Sequence, residues 1–252
     1  MATELEGQTS ADESANQSTS GKKIMYWENL VFDAAGPHDH GRFWEDLLRG
    51  ETLSDNAGGF ETRLTFSENA YLDLCFPIVK DVSESTQRYF PLIVESGRAS
   101  ASKTPSFASS RKKLQDVAGR KYFLFEPGDE SVQFELSAVE IQSTDPLKDA
   151  EFWSFLTGFS ATPQEPTVLK HPEGLYPALV LVNEDQSKSG VKSSVHLDLR
   201  LEANDDMELI LQRILNLGGV ELDHRWGDIP WRVFLDPSGN EFCILPNVAS
   251  AA

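Results

Sequence analysis

The sequence has few cysteines. It contains two in 252 residues, Cys75 and Cys243, and no Cys-x-x-Cys pair. This scarcity excludes a disulfide-stabilised secreted scaffold and a zinc ribbon. Both cysteines lie in apolar runs of strand character that are far apart in the chain. We therefore expect two buried free thiols in a reducing compartment.

Long apolar runs are also missing. No stretch approaches the ~20 consecutive apolar residues that a membrane-spanning helix requires. Residues 1–23 are rich in small polar and acidic residues and have no apolar segment, so they do not resemble a signal peptide. We expect a disordered tail there, a short C-terminal tail at 248–252, and a cytoplasmic protein.

Basic residues are scarce as well. Lys and Arg number 22 against 40 Asp and Glu, which gives a formal charge of −18. Such a charge opposes binding to nucleic acid or to an anionic membrane, and it most simply indicates a well-solvated surface. A Gly-rich phosphate loop and a Gly-x-Ser-x-Gly elbow are absent too, which removes nucleotide binding and serine hydrolysis from the leading functions.

One stretch, residues 196–245, shows a complete pattern of alternating elements. His-Leu-Asp-Leu-Arg-Leu has the two-residue period of a half-buried strand. Asn204-Asp205-Asp206 then supplies the side chains that begin a helix, and Gly218-Gly219 ends it. Three strands follow, and the turn Asp236–Asn240 joins the last two as a hairpin. The order of this unit is βαβββ.

The same order recurs along the chain. Pro146 lies 109 residues after Pro37, and the Phe-Trp pair ending at Trp153 lies 109 residues after the pair ending at Trp44. A constant offset of this kind indicates an internal repeat. The second unit is less regular: we expect a short helix around 109–117 and two strands about a turn at 126–128.

The chain thus resolves into four βαβββ units in two pairs. We assign residues 24–136 to a first, degenerate domain and residues 137–247 to a second domain of the same kind. The predicted fold class is α+β. Whether a binding cup forms within one half or across the halves stays open at this point.

The paired βαβββ units, the Phe-Trp helix after a Pro start, and the ending DPSGNEFCIL resemble the vicinal oxygen chelate superfamily. The resemblance is to its glyoxalase-like, bleomycin-resistance and extradiol dioxygenase branch, and it is strongest over residues 138–246. It implies tandem domains, each a pair of modules that form a curved, open, barrel-like sheet around a small-molecule site. In this superfamily a divalent metal is often held by the first and last strands of each unit.

Strand alternation selects the residues that face the predicted cup. His196, Asp198 and Arg200 share one face of their strand, and Glu241 and Cys243 share one face of the closing strand. An imidazole and a carboxylate are donors that a divalent metal accepts. We expect Asp198, Arg200, Trp231 and Cys243 to contact substrate.

The resemblance assigns catalytic and metal-binding roles to His196 and Glu241, with Mn, Fe, Ni or Zn as the metal. At the corresponding positions of the other units stand residues that do not suit a divalent metal, and the set is therefore incomplete: Leu30, Phe90, Gln133, Val139 and Val180. Alternation places Glu140 on the face opposite Val139. His196 can equally line a polar cavity without a metal or act in acid–base chemistry.

Two functions remain. The first is a glyoxalase-like protein that binds a small organic molecule in the cup of its C-terminal domain, with lyase, isomerase or dioxygenase chemistry implied by the resemblance. The alternative is a non-catalytic protein that sequesters a small molecule or drug, of the bleomycin-resistance kind. A monomer or a homodimer fits either function, and a third hypothesis makes the N-terminal half a structural partner of the other half.

Overall fold

The computed structural model of the chain describes residues 25–80, 86–96, 111–125, 133–186, 188–223 and 229–248. The predicted tails at 1–23 and 248–252 lie outside these ranges, apart from Val248. Both cysteines are free thiols, as expected from the sequence, but only Cys243 is buried and Cys75 is half-buried. No helix among the described residues combines the length and the apolar character that a membrane crossing requires.

The elements follow the four predicted units. The first unit contains β1 (Met25–Phe32), α1 (Pro37–Leu48), β2 (Glu51–Asn56), β3 (Gly59–Ser67) and β4 (Ala70–Pro77). The described part of the second contains β5 (Tyr89–Glu95), β6 (Arg111–Gln115) and β7 (Lys121–Phe125). The third contains β8 (Phe134–Ser143), α2 (Pro146–Thr157), β9 (Ser160–Thr162), β10 (Glu165–Lys170) and β11 (Ala178–Asn183). The fourth contains β12 (Val195–Leu201), α3 (Met207–Asn216), β13 (Val220–Glu221), β14 (Arg232–Leu235) and β15 (Glu241–Leu245).

These strands form two open mixed sheets with the same plan. Sheet 1 has the order β13-β14-β15-β12-β1-β4-β3-β2, and sheet 2 has the order β6-β7-β5-β8-β11-β10-β9. In each sheet the first strands of two units pair antiparallel at the centre, β1 with β12 and β5 with β8. The predicted α+β class with paired βαβββ modules is therefore confirmed.

The pairing of units crosses the two halves of the sequence. Sheet 1 joins the first unit to the fourth, and sheet 2 joins the second to the third. The boundary at 136/137 falls inside β8, a strand that runs without a break from Phe134 to Ser143. As sequence limits the two domains stay a prediction, but neither sheet is built from one half alone.

The second unit differs from its sequence prediction. Residues Arg111–Gln115 form a strand, not part of a short helix. Its Lys-Lys-Leu segment pairs antiparallel with β7, and the tight turn Asp116–Gly119 joins the two strands. An exposed edge strand with several charged residues gives a weak hydrophobic pattern, which explains the wrong prediction. The turn expected at 126–128 lies outside the described residues.

A large apolar core lies between the sheets and the helices, and a second, smaller buried cluster on sheet 2 includes Leu92, Ala138 and Val180. The buried indole rings of Trp44 and Trp153 occupy equivalent positions in the large core, as the repeat predicted. The apolar residues of the central strands Leu30, Val139 and Leu197 point into this core. The opposite face of sheet 1 is consequently left for other side chains, because successive strand residues alternate between faces.

Candidate functional site

A cavity of about 740 Å³ opens on the face of sheet 1 that is turned away from the core. It has the size of a site for a small organic molecule. Much of its wall is apolar and comes chiefly from the first unit: Val31, Phe60, Phe76, Pro77, Ile78, Val79 and Trp231. Its chemically active lining residues are Asp33, Glu61, Cys75, Lys192, His196, Asp198 and Cys243. Residues of both halves line one cavity, so the expectation of a cup within the C-terminal domain alone is corrected.

Three metal-competent side chains meet at one end of this cavity. His196 and Asp198 lie two residues apart on β12, and Cys243 is the register partner of Asp198 on the parallel neighbour β15. One possible ligand atom of each lies within 4.8 Å of the others, and all three residues are buried. The distance between His196 Nε2 and Asp198 Oδ1 is 3.4 Å. Sequence analysis named all three residues, but it joined only His196 with Glu241 as metal ligands.

Two polar atoms of this cluster lack a hydrogen-bond partner among the described residues. They are His196 Nδ1 and Asp198 Oδ1. The other oxygen of Asp198 accepts a hydrogen bond from Asn29 Nδ2 at 3.2 Å. Leaving a buried polar atom unpaired costs about 1–3 kcal/mol, so such atoms beside a cavity indicate a place where a ligand bonds.

Burial sets the protonation of the cluster. It lowers the pKa of His196 to about 3, with a further contribution from the Lys192 ammonium. It raises the pKa of Asp198 to about 6, although the hydrogen bonds from Asn29 and Cys243 act in the opposite direction. Burial and then the charge of Asp198 raise the pKa of the Cys243 thiol. Near neutral pH the imidazole is neutral, the thiol is protonated, and Asp198 can exchange a proton.

Glu241 is turned to a different partner. Its Oε1 accepts a hydrogen bond from Lys188 Nζ at 2.6 Å, and its Oε2 accepts one from the backbone N–H of Ser193 at 3.1 Å. Both side chains of this ion pair are buried. The structure thus brings His196 together with Asp198 and Cys243. The Glu241 carboxylate instead bonds to residues of the linker that precedes β12.

The two remaining predicted contact residues differ in their surroundings. Arg200 donates hydrogen bonds to both carboxylate oxygens of Glu28, at 2.7 and 2.6 Å, and to the backbone oxygen of Pro246. It lies outside the cavity lining, in an ion pair. Trp231 lines the cavity and is 36% exposed, so its ring is available to a ligand.

Sequence reasoning missed several residues of the site. Lys192 lies on the linker before β12, and its Nζ is 2.6 Å from Asp33 Oδ2. Asn29 and Asp33 come from β1 and the residue after it. Strand alternation in β1 could have pointed to them, but an irregularity between Trp27 and Asn29 shifts its register. Glu61 was missed because the pairing of the first unit with the fourth cannot be read from the sequence.

Known structures share this architecture. Glyoxalase I from Zea mays superposes with a TM-score of 0.58 at 15% identity, covering 90% of this chain and 94% of that chain. A protein of Bacillus subtilis subsp. subtilis strain 168, provisionally named a dioxygenase, gives a TM-score of 0.55 at 15% identity and covers 90% and 87% of the two chains. No curated protein sequence matches the chain. At these identities the likeness shows the fold.

Residues 138–245 match the family model described as a glyoxalase-like domain. This part of the chain is a glyoxalase-like domain, and the chain as a whole has the fold of the structures above. The matched range ends at Leu245, the last residue of β15, and it includes all of the third and fourth units except the beginning of β8. In space the glyoxalase-like domain contributes four of the eight strands of sheet 1 and four of the seven described strands of sheet 2.

The glyoxalase-like domain has an equivalent surface on sheet 2, and the chain itself fills it. Here Val139 points into the core, and Glu140 lies on the opposite face, where it forms a partly buried ion pair with Arg111. The Arg111 guanidinium lies 4.0 Å from the centre of the Phe123 ring. The resemblance had assigned Val139 to the cup position of the third unit, and that expectation is wrong. The large cavity is on sheet 1.

The donors of the sheet 1 cluster suit a divalent transition metal. A ring nitrogen, a carboxylate oxygen and a sulfur are accepted by zinc and by its first-row neighbours. The unpartnered Nδ1 of His196 and Oδ1 of Asp198 are consistent with such a ligand. The set fits in chemistry and in number, since catalytic zinc sites generally use three protein donors.

Proposed function

We propose that the protein binds a small organic molecule in the cavity on sheet 1. One observation carries this proposal: a cavity of about 740 Å³ is lined by His196 and Asp198, and each of these residues has a buried atom, Nδ1 and Oδ1, with no hydrogen-bond partner among the described residues. An apolar cavity with few convergent polar groups is the usual form of a small-molecule site. The ligand expected is an apolar or aromatic body with one polar group.

The two ends of the cavity have different roles in this proposal. The apolar body of the ligand lies along Phe60, Ile78 and Trp231, where it displaces water from an aromatic surface. Its polar group reaches His196 and Asp198. Because His196 is neutral at physiological pH, it recognises this group through a hydrogen bond and not through charge.

A thermal-shift screen of small carbonyl and aromatic compounds tests the proposal. A ligand at 100 times its Kd stabilises the folded protein by about 2.7 kcal/mol, which such a screen detects. We expect Ile78→Trp to abolish the shift, because Ile78 is 45% exposed and lines the cavity. Leu147→Trp is the matched control, since Leu147 is exposed on α2 and is not among the lining residues.

His196→Ala should weaken the binding of any compound found, and Glu241→Gln should weaken it less, because Glu241 contacts Lys188 and not the cluster. The proposal fails if no compound shifts the midpoint, or if shifts in Ile78→Trp equal those of the unmodified protein.

A second candidate function is catalysis of the lyase, isomerase or dioxygenase type, and the cluster of His196, Asp198 and Cys243 favours it. A divalent metal held by these residues would act as a Lewis acid toward a ligand oxygen. The apolar wall excludes water from the same place. Without a metal, Asp198 is the group suited to move a proton, since its pKa lies at about 6.

Simple sequestration needs neither the metal nor the proton transfer. Metal analysis of the purified protein separates the two cases: a near-stoichiometric content of zinc, iron, nickel or manganese supports catalysis. A metal-free protein that binds compounds as tightly as the metal-loaded protein supports sequestration.

A further inference from the structure

The carboxylates on or next to sheet 1 that are buried or line the cavity include two that no cation of the chain neutralises. Four others lie 2.6–2.7 Å from an ammonium or guanidinium nitrogen: Glu28 from Arg200, Asp33 from Lys192, Asp73 from Arg63 and Glu241 from Lys188. Glu61 and Asp198 form no ion pair with a lysine or arginine in the part of the chain that the structure describes, and both line the cavity.

Glu61 is not part of the polar end of the cavity. Asp198 lies there with His196 and Cys243 on the neighbouring strands β12 and β15. Glu61 lies on β3, and the strands β4 and β1 separate β3 from β12 in the order of the sheet. The cavity therefore has a second acidic point, several strands away from His196.

The surroundings of Glu61 supply a hydrogen bond but no bonded positive charge. Cys75 Sγ donates to Glu61 Oε1 at 3.2 Å. Burial, and then the charge of Glu61, raise the pKa of the Cys75 thiol, so this donor keeps its proton and is uncharged. Arg63, two residues along the strand, acts on Glu61 through space, but its guanidinium bonds to both carboxylate oxygens of Asp73 and lies 3.7 Å from the centre of the Tyr71 ring.

The walls of the cavity strengthen the effect of this carboxylate. Asp33 and Lys192 neutralise each other, which leaves the lining with an excess of negative charge. Glu61 is half-buried and shares the cavity with apolar side chains such as Ile78 and Trp231, where water screens a charge less than on an open surface. The whole chain has a formal charge of −18, which also raises the local concentration of cations.

We infer that the ligand of this cavity is an organic cation, an ammonium group on an apolar body, and that Glu61 selects it. A hydrogen bond between an ammonium and a carboxylate is about twice as strong as one between neutral groups. The exposed ring of Trp231 suits the same ligand, because the face of an indole attracts cations. Selection by Glu61 rests on the proposed function and adds a charged group, bound away from His196, to the ligand expected there.

Matched compounds that differ in charge alone test this selection. The purified full-length protein is titrated at pH 7 in a calorimeter with an amine, an alcohol and a carboxylate on the same body, in three sets with phenylbutyl, indolylethyl and naphthylmethyl bodies. In at least one set we expect the amine to bind about ten-fold more tightly than the alcohol. The carboxylate should bind more weakly than the alcohol, because like charges repel.

Three variants assign the preference to one side chain. Glu61→Gln should weaken the binding of the amine about ten-fold and leave that of the alcohol unchanged. Glu68→Gln makes the same change of net charge at an exposed position of the β3–β4 turn that is not among the lining residues, and it should leave all affinities unchanged. Glu61→Lys should reverse the order of amine and carboxylate. The alcohol reports in every variant whether the cavity is intact.

Equal affinity for amine and carboxylate in the unmodified protein would overturn the inference, and this result does not depend on the folding of any variant. An equal loss of amine affinity in Glu61→Gln and Glu68→Gln would overturn it too, because the overall charge would then make the selection. If alcohols bind and no amine binds more tightly, the proposed function stands and selection by Glu61 is wrong. If no set binds, selection by Glu61 is again wrong, and the thermal-shift screen decides the proposed function separately.

Discussion

At the scale of single residues, Asp198 is the group whose ionisation is most directly tied to the site. Its pKa is raised by burial from an ordinary 3.8 to about 6, which means that the folded protein holds the proton more tightly than the unfolded chain. The stability associated with protonated Asp198 is fully present below about pH 4 and is lost as the pH rises through about 6. At pH 8 the buried carboxylate costs on the order of 3 kcal/mol.

Replacement by the uncharged isostere should remove that cost. We expect Asp198→Asn to raise the free energy of unfolding by about 1–3 kcal/mol at pH 8 and to have little effect at pH 4. Urea denaturation at the two pH values in the presence of a chelator measures the difference. The exposed Asp223 provides the control, Asp223→Asn, which should change neither value. An equal effect of Asp198→Asn at both pH values would show that the buried charge of Asp198 is not the cause of the destabilisation.

At the scale of elements, two equivalent turns connect the sheets through the helices. Asp236 begins the β14–β15 turn and accepts from Trp153 Nε1 of α2 at 3.2 Å. Asp116 begins the β6–β7 turn and accepts from Trp44 Nε1 of α1 at 3.0 Å. Each aspartate also accepts from two backbone N–H groups of its own turn. One aspartate therefore fixes a turn and attaches a helix of a different unit to it.

Loss of this carboxylate should be costly. Asp236→Ala leaves the buried donors of Trp153, Ser238 and Asn240 without their acceptor, and we expect a destabilisation of about 2–4 kcal/mol. Asp116→Ala should behave alike. Glu184→Ala, which removes a single exposed hydrogen bond to Gln186 N, serves as the control with a change of about 0.5 kcal/mol or less. Denaturation midpoints that are the same in all three variants would show that the turns do not hold the helices.

The elements also show how far sequence reasoning reaches. The 109-residue offset predicted both Pro-initiated helices, and Asp205-Asp206 predicted the start of α3, whose N-cap is Asp206. Local patterns of this kind depend on neighbouring residues. In the second unit the apolar pattern is weak, but the turn after Gln115 repeats the Asp-x-x-Gly spacing of the last hairpin, Asp236–Gly239, and this spacing is a local signal for a hairpin. His196, Asp198 and Cys243 could be placed on one face by alternation. The proximity of these three residues to Asn29 and Lys192 could not be predicted, because it depends on the pairing of strands that are far apart in the sequence.

At the scale of the whole molecule, neither half of the sequence contains a complete sheet. Hydrogen bonds between β1 and β12 form the centre of sheet 1, and those between β5 and β8 form the centre of sheet 2. A fragment that ends or begins at the boundary between the halves would expose two of these central strands as edges. Unpaired apolar edges of this length promote aggregation.

The two halves of the sequence, produced as separate fragments, should therefore depend on each other for folding. We expect residues 1–136 and 137–252 to be insoluble or unfolded when produced separately and to form a stable complex when produced together. Size-exclusion chromatography with light scattering distinguishes these states. A monomeric, folded fragment 137–252 that binds the compounds found with the intact chain would contradict this expectation, and it would show that the glyoxalase-like half is self-sufficient.

The central pairing of β1 with β12 also determines when the cavity can exist during synthesis. Asn29 and Asp198, which hydrogen-bond at its polar end, are separated by 169 residues. The second and third units are neighbours in the chain, so sheet 2 can begin to assemble while the fourth unit is still being made. The cavity can close only after β15 has left the ribosome, and the long loop that this closure requires makes it a slow step. A nascent chain halted before Glu241 would carry the whole apolar wall from the first unit but no Cys243, and it would be exposed to chaperones until the last strand arrived.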